Sequence, residues 1–295
     1  RRLGKPLQYN AHSKRHGYIH DYEVRRFDIM AILHVTTPDE FIAALGDANE
    51  VYIDKDIDFN GYEFTQATYV QGVTVHGQGH NLSNIQYAYN GPRFSASANS
   101  YWDEVNFVNC LCQNNYDAAF FDGRNGSMHF DKCKFQGKFF NFTYRTVYFT
   151  KCAFAFESGL AWMHWSDGSG GSYEQCYFDL KEQNGHQLTQ QVGIKNCYFK
   201  GTITGQNAPL FNAGYQVFVN NVINIEFKNS GTFLINYGGN PETVSIYNAT
   251  KAAGATITPQ AHIIGLPNSD MQATSAADVQ RVSEAIAATG FPIVY

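Results

Sequence analysis

Apolar and polar positions alternate in short runs along most of this chain, and similar runs return every twenty-odd residues. Met128 to Phe135, Val147 to Phe154 and Val192 to Phe199 share one form, apolar–x–apolar–x–polar–Cys–x–Phe, and Ser172 to Phe178 carries its last seven positions. Val105 to Cys110 reads as an earlier copy, and Val217 to Ile223 as a later one without its cysteine. Alternation with period two marks a strand with one buried face. The polar pair then marks a corner, and Cys-x-Phe starts the next strand.

Cys110, Cys133, Cys152, Cys176 and Cys197 lie 23, 19, 24 and 21 residues apart. A repeat of about 20–25 residues with two or three short strands is one coil of a parallel β-helix, in which equivalent residues stack about 4.8 Å apart. The pattern therefore predicts one column of those five cysteines and a neighbouring column of Phe135, Phe154, Phe178 and Phe199. Cys110-Leu111-Cys112 would place two thiols on one face of a strand.

The flanks predict the ends. Thr36 to Gly46 reads as a short helix capped by Thr37, with Pro38 in its first turn, Asp39 and Glu40 at its positive end and Gly46 as its stop. Such a helix would cover the open end of the coil. Val51–Ile53 and Ile57–Phe59 would form the first rung, and Val73–Leu82 a further strand with a glycine corner. Counting from Val51 to Ile264 at about 22 residues per turn predicts nine or ten rungs. The expected organisation is an arm over 1–35, a parallel β-helix over 36–265, and a C-terminal helix and tail over 266–295, all-β apart from the two short helices.

Charge refines this picture. Residues 1–29 carry seven Lys/Arg against three acids, and the remainder fourteen against twenty-three, so a basic arm precedes an acidic body. A net charge of -5 argues against nucleic acid as the main partner. No apolar run approaches the roughly 18–20 residues that span a membrane. Met30-Ala31 reads as a translation start in its own right.

With the helix, first rungs and Cys/Phe repeat on the page, residues 36–265 resemble the pectate-lyase-like right-handed parallel β-helix superfamily. The tail from Thr274 to Ile293, a capped helix ending in Gly-Phe-Pro-Ile, is similar to the C-termini of phage structural proteins with this fold. The first resemblance implies fold, and side-by-side association in threes. The second implies a virion location, with assembly in the host cytoplasm.

Candidate chemistry is sparse. The cysteine spacing is a rung period, unlike metal-ligand spacing, and it favours a reduced core ladder over disulfides or zinc; no metal or cofactor is expected. Asp54, Asp56 and Asp58 alternate but read as a solvated edge. Asp122 with Arg124, near Asp117 and Asp131, is the best acid/arginine cluster, and neighbouring rungs would bring Asp122 near Asp167 or Glu157. The Gly-His-Gly and Arg-x-Lys phrases of polygalacturonase-type members of the superfamily are absent. Trp162, His164, Trp165 and Asp167, before a Gly/Ser run, combine flat rings with hydrogen-bonding groups suited to a sugar; the bland alternative packs those rings inward. Tyr101 and Trp102 form a second such pair. His12, His16 and His20 recur at helical spacing, but Gly17 disfavours the helix, and docking of the arm is the expected role.

Three functions stay open at this level. One is a virion structural protein, a capsid decoration or tail-fibre part anchored to other virion proteins through residues 1–29 and the C-terminal helix and holding host glycans. The others are a polysaccharide-degrading tailspike or secreted lyase, and a secreted adhesin.

Overall fold

The computed structural model describes residues 31–46, 49–64, 67–87, 94–112, 119–184, 188–204, 209–214, 218–219, 221–227 and 233–237. Residues 1–30 of the expected arm with its histidines, Asp117 and the C-terminal helix expected from the sequence lie outside them.

The described chain is an all-β parallel solenoid with one short helix. Its strands form three walls. The first holds Glu50–Ile53, Thr74–His76, Ser100–Asp103, Ser172–Glu174 and Gly193–Lys195. The second holds Ile57–Asp58, Asn81–Ser83, Asn106–Cys112, Lys134–Phe139, Ala153–Phe156, Tyr177–Gln183, Tyr198–Ile203 and Val222–Phe227. The third holds Thr68–Val70, Phe94–Ala96, Trp162–Trp165, Thr189–Gln190, Pro209–Gly214 and Phe233–Tyr237. Two long strands, Phe121–Asp131 and Asn141–Thr150, run from the third wall into the first, with a register shift at the bend.

The solenoid makes about six turns. The nine or ten rungs expected from the sequence are not confirmed, because that count ran on to Ile264, beyond the described residues. Pairing begins at Ile32–Val35, which lies parallel to Glu50–Ile53, so the first strand sits inside the segment expected to be arm. Between these two strands lies the helix, Pro38–Ala44, where the sequence predicts it. Thr37 Oγ1 accepts from the Glu40 N–H and the Glu40 carboxylate accepts from the Thr37 N–H, which satisfies two of the donors left free at this end. Those hydrogen bonds, with the Thr36 N–H the largest, hold the Glu40 carboxyl below the usual range. Phe41 is buried and meets Phe59 and Trp102 edge-on. No helix among the described residues is long and apolar enough to cross a membrane.

The phenylalanine column forms as the periodicity predicts. Phe107, Phe135, Phe154, Phe178 and Phe199 are buried and stack ring on ring, with centroids 5.1, 5.1, 4.6 and 4.3 Å apart. A second buried column on the first wall runs through Trp102, Phe130, Phe149 and Tyr173. Offset and near-parallel aromatic contacts add to the gain from burying these rings.

The cysteine column differs by one member. Cys133, Cys152, Cys176 and Cys197 stack as predicted, each buried and unpaired. Each thiol lies 3.3 Å from the carbonyl two residues before it and 3.4–3.5 Å from one in the preceding rung. Cys110 is not in that column. Phe107 pairs with Phe135, so the place two residues earlier falls to Val105, whose carbonyl accepts from Lys134 N–H as that of Cys133 accepts from Ala153 N–H. Cys110 lies on the second wall opposite Gly137, beyond a register shift. The sequence reading slipped here because alternation holds on both sides of the corner; the true strand before it is Ser100–Asp103. Cys110 and Cys112 are both buried on one face, as their spacing predicts.

Asn221 occupies the level after Cys197. Its Oδ1 accepts from Cys197 N–H at 3.0 Å, its Nδ2 donates to Ile194 O at 3.0 Å, and it is 1% exposed. Asn221→Ala should therefore strand a buried donor and acceptor and cost about 2 kcal/mol, read as a lower urea midpoint.

The alternating acids close two polar ladders at the first described turn. Asp56 accepts from Asn81, which accepts from Asn106 at 3.3 Å; Asp58 accepts from Asn84, which accepts from Asn109. The backbone N–H of Asn81 and the side chain of Asn84 hold Asp56 and Asp58, respectively, below the usual carboxylate range.

Candidate functional site

Parallel register decides which side chains meet outside the third wall. Asp122 lies beside Tyr144, Tyr144 beside Trp165, and Trp165 beside Gln190. This outward row joins residues that the sequence holds twenty-odd positions apart.

Tyr144 stands at its centre. The guanidinium of Arg124 lies 5.1 Å from the Tyr144 ring centre and that of Arg145 lies 5.2 Å away, both within cation–π range. The Tyr144 hydroxyl donates to Asp167 Oδ2 at 2.5 Å, the Trp165 indole N–H donates to Asp167 Oδ1 at 2.6 Å, and Arg145 lies 3.6 Å from Oδ2. Those donors, Tyr144 foremost, hold the Asp167 carboxyl below its usual range. Asp167 is thus a fixed acceptor near neutral pH, already ionised and unable to supply a proton. Tyr144 in turn raises Arg145, which stays a cation.

Asp122 is 1% exposed and binds Arg124 twice, through the backbone N–H at 2.9 Å and the guanidinium at 3.3 Å. Trp162 and Trp165 lie 5.3 Å apart at 53° and are each half-buried, and Trp165, beside Tyr144, is the one on the outward parity. The pair and the Tyr144 cluster form one surface of flat rings, two guanidinium groups and an ionised carboxylate.

Two of the candidate binding residues, His164 here and Trp102 of the second pair, lie in the interior. His164 points inward between Thr143 and Thr189 and is fully buried. Its Nε2 lies 2.6 Å from the Arg145 carbonyl, which assigns the proton to Nε2, while Nδ1 is buried without a partner. Burial lowers its pKa to about 4. The Gly/Ser loop passes close over it: a Cβ on Gly171 would sit 2.5 Å from His164 Cε1, and Gly171 has φ +151, so only glycine fits. Trp102 is 1% exposed in the first wall's interior column and donates to Ser100 Oγ, so it presents no face to a ligand. Both corrections follow from strand parity, since one step of alternation exchanges inside for outside. Tyr101, the neighbour of Trp102, is 50% exposed on the first wall, stacked on His129 and remote in register from the Trp165 row.

Neither Tyr144 nor Arg145 stands out in the sequence, where the repeat of this turn is read only from Val147. Their only signal was the spacing that sets them one turn after Asp122 and one before Trp165.

Residues 32–145 match the sequence profile of a family described as "Putative pectate lyase-like adhesive domain". The match includes Asp122, Arg124, Tyr144 and Arg145 and ends before Trp162. Together with the parallel solenoid, it supports the pectate-lyase-like β-helix superfamily. No curated protein matches the chain. Two solved structures align over 86% of it. One, from Bacteroides ovatus, is described as "a putative immunoglobulin A1 protease", with 13% identity, 86% of its own length covered and a TM-score of 0.41. The other is a polygalacturonate lyase fused with a self-assembling amphipathic peptide, with 12% identity, 90% of its length covered and a TM-score of 0.43.

Proposed function

We propose that the protein is an adhesive rod displayed on a virion surface, holding host-surface polysaccharide along the outer face of its third wall without cutting it. The observation that carries this reading is the continuous surface of Trp162, Trp165 and Tyr144 flanked by Arg124, Arg145 and the ionised Asp167. Half-exposed rings offer flat apolar faces to sugar rings. The guanidinium groups donate to hydroxyl or carboxylate oxygens, and Asp167 accepts from hydroxyls. Hydrolysis through Asp167 is disfavoured, because that chemistry requires a carboxyl still protonated at working pH and Asp167 is held ionised. The adhesive-domain match supports the binding half of the reading, and the tail's resemblance to phage structural proteins its location.

The test is retention of the full chain on immobilised host-envelope polysaccharides, with assay of the eluate for reducing and unsaturated ends. Binding without release is the expected result; release would turn the reading to a polysaccharide-cleaving tailspike. Trp165→Ala should weaken retention by about ten- to thirtyfold, the effect of losing a central ring of about 1.4–2 kcal/mol. The same variant should melt within about 2 °C of the parent, since the ring is half-exposed. A large fall in melting temperature would make Trp165 a packing residue.

A further inference from the structure

The charge blocks at the start of the chain point to a second surface, unconnected with the Trp165 site. Residues 1–29 carry seven Lys/Arg against three acids, whereas residues 31–64 carry eight Asp/Glu against the single Lys55. Of the acids in its first turns, the solenoid sets Glu50 and Asp54 on the outside of the first wall. Glu50 there accepts from Tyr52 at 2.7 Å and meets His76 at 3.2 Å, and Asp54 binds His34 at 2.9 Å. Asp103 and Asp131 are register partners on the same wall, and Glu104 follows at its corner. All three lie within 4 Å of Lys132, the one cation among them.

Ring stacks lie between these acids. His34, Tyr52 and His76 stack with centroids 5.3 and 4.5 Å apart, and Tyr101, His129 and Tyr148 with centroids 4.9 and 4.8 Å apart. An acidic face lined with rings suits a basic polypeptide, through ion pairs at the carboxylates and cation–π contact at the rings. Residue 31 immediately precedes Ile32–Val35, the first strand of this same wall. Twenty-nine residues reach up to about 95 Å when extended. The face from Ile32 to Asp131 is about 19 Å long at roughly 4.8 Å per rung.

We propose that residues 1–29 dock on the outer face of the first wall of their own chain, against Glu50, Asp54, Asp103, Glu104 and Asp131. Tethering favours this arrangement over a neighbour's arm, because the local concentration of an attached segment is of millimolar order.

The experiment is zero-length carbodiimide coupling of the full chain in an equal mixture of light and heavy-nitrogen-labelled protein, followed by peptide mass spectrometry. Lys5 and Lys14 should couple to the named carboxylates within one isotope label. The yield should drop about tenfold at about 0.5 M salt, where exposed charges are screened beyond a few ångströms. Absence of coupling from both lysines to this face overturns the proposal. So does coupling found mainly between labels, which would assign the face to the arm of another copy. None of these residues belongs to the Trp165 surface, so either result leaves the polysaccharide reading standing.

Discussion

Phe154→Asp is expected to leave the chain unfolded at room temperature. Phe154 is fully buried, stacked between Phe135 at 5.1 Å and Phe178 at 4.6 Å, and it meets Phe149 and Tyr173 edge-on at 5.2 and 5.6 Å. Truncating such a ring costs about 3–5 kcal/mol through lost transfer energy and an unfilled cavity. Aspartate adds a carboxylate with no partner in an apolar column, a further penalty of several kcal/mol unless it is protonated. A domain of this kind is stable by only about 5–15 kcal/mol, so the sum removes most or all of it. Circular dichroism and a urea titration check this. Phe154→Ala serves as the graded control, destabilised by about 3–5 kcal/mol but still folded. An aspartate variant that melts within a few degrees of the parent would mean that the column is not continuous at this level.

The second large effect is acid lability from His164. Its folded pKa is about 4 against 6.5 for an ordinary histidine, so the unfolded chain binds the proton more readily. Stability from keeping this imidazole neutral is fully present above about pH 6.5 and is lost as pH falls towards 4, with no further loss below that. The window amounts to roughly 3 kcal/mol, taking about 1.4 kcal/mol per pKa unit. The structural cause is that protonation puts a hydrogen on Nδ1, which is buried with no acceptor. Urea midpoints at about pH 7, 5.5 and 4.5 should fall steeply for the parent and less steeply for His164→Leu and His164→Gln. Leucine weakens the protein at neutral pH by releasing the Arg145 carbonyl, whereas glutamine keeps a donor for it, so the informative quantity is the pH slope, which a simple loss of packing leaves unchanged. Equal slopes in all three proteins would show that His164 reaches water or a partner in the native state. Because Arg145 belongs to the candidate site, glycan retention by the parent should weaken over the same interval.

Much of this architecture is legible in the linear chain because a solenoid repeats its interior. A buried position recurs at each turn, and apolar rings must fill it each time, so the Phe135–Phe199 series can be read from spacing alone. The helix is equally local: Thr37, Pro38 and Glu40 form its cap within four residues. Site assignments fared differently. The acid/arginine pair at Asp122 and Arg124 and the ring-bearing run at Trp162 to Asp167 are visible as unusual composition, and the fold joins them. Tyr144 and Arg145, which bridge the two, look like any residues of an alternating strand.

What the sequence by itself determined is the period, the buried rings and the parallel coil, since period-two alternation and stacking along one axis are short-range consequences of residue type. Only the tertiary structure decided phase: which side of a corner each run occupies, and so whether a residue faces in or out. A slip of one strand moved Cys110 out of the thiol column, and strand parity turned Trp102 and His164 inward while leaving Trp165 on the surface. Alternation is satisfied equally by neighbouring registers. The choice between them comes from pairing with the next turn, an interaction between residues about twenty positions apart.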